Sequence, residues 1–232
     1  MRNILFMKKV PPLKERLLKI LSILKKTYSR AHCILEYKTP WQLMVAVQLS
    51  AQCTDMMVNK VTPVLFATYP TAQATAKAPI EDIERLIHST GFYHNKAKNL
   101  NGAAQMVVEK FGGTVPGTMA DLISLPGVAR KTANIILGNV FGIVEGIAVD
   151  THVKRVSTRL GFTKQEDPNK IERDLMRLLL PQRAGPRQLA VAKKEWFPFT
   201  YYIIDHGRAI CKAPTPKCEV CVLKNLCPSS RV

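Results

Sequence analysis

Four of the six cysteines crowd into one short stretch: Cys211, Cys218, Cys221 and Cys227, separated by six, two and five residues. The N-terminus, Met1 to Lys9, carries only a short apolar patch at Ile4 to Met7 and no small-residue cleavage site. It does not read as a secretory signal, although a basic organelle-targeting peptide stays open. Without a secretory signal disulfides are not expected, so four clustered cysteines read as a metal site. Four thiolates so close in sequence can hold zinc or an iron–sulfur cluster. A zinc ribbon would show two close pairs, and here Cys218 and Cys221 form just one. Cys33 and Cys53 stand apart and read as small buried hydrophobes.

Charge gives the second constraint. Lys plus Arg number 34 against 17 Asp plus Glu, a net charge of +17. A surplus of this size points to a polyanionic partner, nucleic acid or an anionic membrane surface. The alternative is a basic protein that binds no polyanion. The 47% hydrophobic content excludes a disordered tail. No apolar run approaches the ~20 residues of a membrane span.

Helical signals dominate, and no strand alternation is sustained, so the expected fold is all-α. Residues 14–26 place Leu17, Leu18, Leu21 and Leu24 on one face, with Lys14, Lys19, Lys25 and Lys26 mostly off it. Thr39-Pro40-Trp41 is a start signal, a capping Thr followed by Pro at the first helical position. The run Leu43 to Leu49 is apolar nearly all round and is expected as a buried central helix. Further helices are expected over 80–87, over 100–111 with Gly112-Gly113 as the stop, and from Asp167-Pro168 to Leu180.

The most chemical segment is a helical hairpin. Thr118 caps a short helix, Met119 to Ser124. Leu125-Pro126-Gly127-Val128-Ala129-Arg130-Lys131 then turns into a helix running to about Phe141. An ordinary αα-hairpin accounts for the turn alone. It does not account for Arg130 and Lys131, two cations where the helix dipole disfavours positive charge. Such a site is expected to meet an anion through free N–H groups, or to lower a lysine's pKa and make it a nucleophile. Further on, Asp150 in Val149-Asp150-Thr151-His152 precedes a helix with Val153, Val156 and Leu160 on one face, ended by Gly161. It reads as an N-cap, and a capping carboxylate is also a carboxylate in a fixed position.

From Leu125-Pro126-Gly127-Val128 through Lys131-Thr132-Ala133-Asn134 to Val149-Asp150-Thr151-His152, the chain resembles the endonuclease III family. The likeness runs from about Trp41 to Cys227 and includes Leu49-Ser50-Ala51-Gln52-Cys53-Thr54-Asp55 and Gly91-Phe92-Tyr93. The cysteine spacing is similar at every position to the family's four-iron four-sulfur loop.

The resemblance implies two helical domains, residues 33–144 and residues 1–32 with 145–232, with DNA bound across their cleft. It implies a base-excision glycosylase and abasic-site lyase, with Lys131 as nucleophile and Asp150 assisting it. Oxidised pyrimidines in duplex DNA would be the substrate. One four-iron four-sulfur cluster per chain would sit on Cys211, Cys218, Cys221 and Cys227. Gln52 and Phe92 would fill the space of the displaced base. Gly127, Ala129, Arg130, Lys212 and Lys217 would meet the DNA. A monomer without membrane association is expected. The compartment would follow the source: the nucleoid in a prokaryote, nucleus or mitochondrion in a eukaryote.

Two departures stand out. Ala129 replaces the family's usual Gly; it keeps its N–H, so phosphate binding should survive if the backbone there is near helical. The segment 182–196, with Arg183, Arg187, Lys193 and Lys194, is longer than usual. A non-catalytic DNA-binding module would share the charge, hairpin and cysteine loop, but gives no reason for Lys131 and Asp150. An adenine glycosylase would lack the lysine, carry a carboxylate before Gln52 and add a recognition domain. Residues 41–49 hold no carboxylate, and the sequence extends only a few residues past Cys227. A mismatch-specific thymine glycosylase should also lack the lysine.

Overall fold

A computed structural model describes residues 11–181 and 185–232. Met1 to Lys9, Gln182 and Arg183, noted above, lie outside the described residues. The elements in chain order are α1 (Leu13–Thr27), α2 (Pro40–Leu49), α3 (Asp55–Thr68), α4 (Ala72–Ala76) and α5 (Ile80–Ile87). A 3₁₀ turn (His88–Thr90) leads into α6 (Tyr93–Phe111), α7 (Met119–Ser124) and α8 (Arg130–Ile136). After a π-helical turn (Leu137–Phe141) come α9 (Thr151–Arg159), α10 (Pro168–Leu179), α11 (Pro186–Lys194) and α12 (Trp196–Ala209). Among the described residues there is no strand, so the all-α expectation holds. Among the described residues no helix is long and apolar enough to cross a membrane. The chain forms two compact units, Cys33–Glu145 and Met1–His32 with Gly146–Val232.

The first of these units is built around α2. Thr39 Oγ1 accepts from the Gln42 N–H at 3.2 Å, and Pro40 opens the helix without needing a donor. Eight of its ten residues are buried. α3, α6 and α8 pack on it, and α4 and α5 pack on α6. Thr118 Oγ1 caps α7 by accepting from the Asp121 N–H at 3.1 Å. α6 starts at Tyr93, seven residues before the expected Leu100. Its first turn is polar and follows a left-handed residue, so apolar periodicity does not mark it. Gly112, left-handed at φ +61°, ends it as expected. The hairpin's second helix also differs from expectation: regular α geometry stops at Ile136 and the last turn is π.

The other unit packs α1 on α10 and α12, and α9 on α12. In α1 the buried stripe is Leu17, Ile20, Leu21 and Leu24, while Leu18 is 54% exposed. Positions i, i+3, i+4 and i+7 define one helical face, and Leu18 falls at its edge. Asp167 Oδ1 caps α10 through the Lys170 N–H at 2.9 Å. α3 and α12 were not marked by periodicity. Pro63 lies inside α3, and Pro198 lies early in α12, and both read as breakers in sequence.

The hairpin turn between α7 and α8 depends on a glycine. Gly127 has φ +73°, and a Cβ there would lie 2.8 Å from Gln48 Oε1 and 2.9 Å from Asn99 Cβ. Gly127→Ala is therefore expected to lose about 1–3 kcal/mol of stability from left-handed strain and overpacking. Urea unfolding checks this against the parent.

Candidate functional site

Lys131 is the second residue of α8 and is solvent-exposed, as are Gly127, Ala129 and Arg130 before it. α8 is held through Ala133 and Ile136, and the π turn after it through Leu137, all buried. Ala129 is the N-cap, with φ −87° and ψ 169°. This is extended, not the near-helical backbone on which the expected phosphate contact of Ala129 is conditional. Any L-residue adopts an extended backbone, so alanine there carries no strain.

Gln52 and Phe92 stand out in another way. Among the described residues they are the non-glycine residues with positive φ, +52° each. Both are exposed, Phe92 at 64%, so Phe92 is not a core aromatic. A left-handed conformation costs a non-glycine residue roughly 1–2 kcal/mol, and such strain clusters at functional sites. Cys33 and Cys53 are partly buried against the same unit's core.

In the second unit, Asp150 caps α9. Its Oδ1 accepts from the Val153 N–H at 2.7 Å, and its Oδ2 lies 3.1 Å from His152 Nδ1. The carboxylate is thus fixed by the backbone and by a neighbouring ring. The same helix carries Arg155 and Arg159, neither singled out in the sequence. Arg155 donates to the carbonyls of Cys211 (3.1 Å) and Gly207 (3.1 Å). Arg159 donates to the carbonyls of Lys212 (2.7 Å) and Ala213 (2.6 Å) and to Cys211 Sγ (3.4 Å). Cations at the carboxyl end of α12 also suit its dipole.

Cys211, Cys218, Cys221 and Cys227 line a single cavity, floored by Val156, Leu160, Ile210 and Leu223. Burial pushes the Cys221 and Cys227 thiols up, and the neighbouring cysteines add to this. The Leu223 N–H donates to Cys221 Sγ at 3.4 Å and acts in the opposite direction. Burial takes His206, beside Cys221, down to about 4. Among the described residues no three His, Cys, Asp or Glu side chains are grouped to share one metal ion. Lys212 and Lys217 are exposed on the loop, their backbone N–H groups bonded to the Ile210 carbonyl.

The chain is similar in sequence and fold to known proteins. Residues 45–181 match the HhH-GPD superfamily of base excision DNA repair proteins. Endonuclease III of Synechocystis sp. is 54% identical over 225 residues, covering 97% of each chain. Endonuclease III of Bacillus subtilis is 42% identical over 201 residues, covering 86% of each. A solved non-covalent endonuclease III–DNA complex is 41% identical with a TM-score of 0.84, covering 94% of this chain and 96% of that one.

The chain belongs to the endonuclease III family. As a family member it is a base-excision-repair enzyme, a DNA glycosylase and abasic-site lyase. A thermostable thymine-DNA glycosylase at 21% identity and TM-score 0.76 shares the fold alone. Within the endonuclease III frame, Lys131 occupies the start of the hairpin's second helix and Asp150 the cap of α9.

Proposed function

We propose that this enzyme removes oxidised pyrimidines from duplex DNA and cleaves the resulting abasic site through a Schiff base on Lys131. The observation that carries this reading is the position of Lys131, an exposed amine at the start of a helix whose apolar face is buried. Neutral Lys131 Nζ attacks C1′ of the damaged nucleotide, and the N-glycosidic bond breaks as the base departs with a proton. The sugar ring opens to a protonated imine. Loss of a C2′ proton then drives β-elimination, which breaks the C3′–O bond and cuts the strand. Asp150 is assigned the general-base role and the stabilisation of positive charge on the sugar. Its fixed carboxylate suits both tasks. Gln52 and Phe92 enter the space left by the displaced nucleotide, because an unstacked base leaves a hole to be filled. Gly127 and Arg130 meet the phosphate backbone at the hairpin, and Lys212 and Lys217 meet it at the cysteine loop.

Cys211, Cys218, Cys221 and Cys227 would hold one four-iron four-sulfur cluster. The donor set supports it: four cysteines line one cavity, and Cys211 and Cys221 each accept an N–H donor at sulfur. When bound, the cluster supplies a cationic core that holds the thiolates ionised and pins the loop.

Borohydride should trap the enzyme covalently on abasic DNA, because it reduces an imine to a stable amine. Lys131→Gln should abolish trapping and cost several orders of magnitude in rate while DNA binding persists. Undiminished trapping would remove Lys131 from the mechanism.

Asp150→Asn keeps the cap and removes the carboxylate. Stability should hold within about 1 kcal/mol, and turnover should fall at least about tenfold. A purely structural Asp150 would leave turnover unchanged, so melting and single-turnover rates measured together decide.

Anaerobically purified enzyme should be yellow-brown with about four irons per chain. Cys218→Ser should lose iron and weaken DNA binding, with less effect at saturating DNA than Lys131→Gln. One zinc and no iron per chain would overturn the cluster.

A further inference from the structure

Lys96 is 7% exposed, and the chemistry above makes no use of it. Its Nζ donates to the Leu49 carbonyl at 2.9 Å and to the Thr90 carbonyl at 2.8 Å. Leu49 is the last residue of α2, and Thr90 ends the 3₁₀ turn after α5. Carbonyls at such ends lack an intrahelical donor, so one ammonium satisfies two of them. Three residues beyond Leu49 stands Gln52, and two beyond Thr90 stands Phe92. These are the two strained, exposed, left-handed residues already described. Strain of this kind persists only where the surroundings over-determine the backbone.

We propose that Lys96 is a positioning residue that ties the Gln52 and Phe92 segments to one buried point, so that both side chains enter the DNA as a pair. The proposal rests on reading Gln52 and Phe92 as the inserted residues. Packing alone gives no reason for an ammonium here. A methionine would fill the space without desolvating a charge. Burial pulls the Lys96 amine below the ordinary lysine range, with Cys53 acting the other way. Lys96 also lies in the opening turns of α6, where the dipole disfavours a cation. Those costs are offset by two charge-assisted hydrogen bonds whose acceptors belong to two separate segments.

The test uses the full-length enzyme with its metal content verified. Lys96→Met keeps the volume and removes the donors; Lys96→Gln keeps a shorter donor and serves as the milder variant. Four quantities are read at saturating DNA. They are melting temperature, base excision from a duplex with one oxidised pyrimidine, cleavage of a preformed abasic site, and fluorescence of 2-aminopurine beside the lesion. The fluorescence reports opening of the stack. Lys96→Met should lower excision by about tenfold or more and suppress the fluorescence rise. Cleavage of the preformed abasic site should fall less, because no base has to be displaced. Lys96→Gln should fall between parent and Lys96→Met. Phe92→Ala should reproduce the pattern, and the double variant should lose little beyond the worse single, since both act on one step. Unchanged excision in Lys96→Met overturns the proposal. So does an equal loss of both activities alongside a lower melting temperature, in either Lys96 variant, or a fully additive double variant. Unchanged excision in Phe92→Ala instead overturns the reading of Phe92 as inserted.

Discussion

The burial of α2 is the constraint on which the unit Cys33–Glu145 depends. A helix with eight of ten residues buried cannot rotate without exposing large side chains, at roughly 1.5–3 kcal/mol each. Its neighbours inherit that fixity. α8, which carries Lys131, packs directly on it. Gln48, in the last turn of α2, lies under Gly127 at the hairpin apex. The Leu49 carbonyl receives Lys96. The chain leaves the helix toward Gln52 from this same end. The most apolar helix of the unit therefore sets the position of its most polar features.

In the other unit α9 performs the corresponding task. Its first residues are held by Asp150 as cap, and Arg155 and Arg159 reach the end of α12 and the cysteine loop. One short helix thus fixes a carboxylate at one end and the cysteine loop at the other. Its apolar face, Val153 and Val156, is fully buried and keeps both ends in register. A change that shifted α9 would disturb Asp150 and the loop together. Residues between the two would then show effects on both.

What the sequence disclosed follows from how local each signal is. Thr39-Pro40, Thr118, Asp150 and Asp167-Pro168 act over three or four residues, and each cap forms where its residues place it. Ile80 to Ile87 is equally local. Leu18 was misplaced because a stripe edge depends on which neighbour covers it. The start of α6 was hidden because Phe92 turns left-handed, a conformation no residue type other than glycine announces. Arg155, Arg159 and Lys96 were illegible for a different reason. Their acceptors are backbone carbonyls distant in sequence, and a carbonyl carries no sequence identity. Cys218 and Cys221 advertise a site by spacing, whereas Arg159 beside Cys211 does not.

That difference separates two kinds of functional residue. A nucleophile must reach solvent and substrate, and Lys131, proposed for that role, sits exposed on a helix start, where a cation is locally unfavourable and stands out in the sequence. A residue that aims other groups must be immobile. Immobility requires burial, and burial of an ammonium requires acceptors on every side open to it. Lys96 places two of its three N–H donors against main-chain carbonyls. In sequence it is one lysine among many in a basic chain; in the fold it joins two segments. The net charge of +17 therefore combines two populations. Exposed cations such as Lys131, Lys212 and Lys217 are open to a polyanion, and buried or half-buried ones such as Lys96 and Arg155 bind main-chain carbonyls. The first group sets how strongly the chain is drawn to DNA. The second sets whether, once there, its side chains stand where the chemistry needs them.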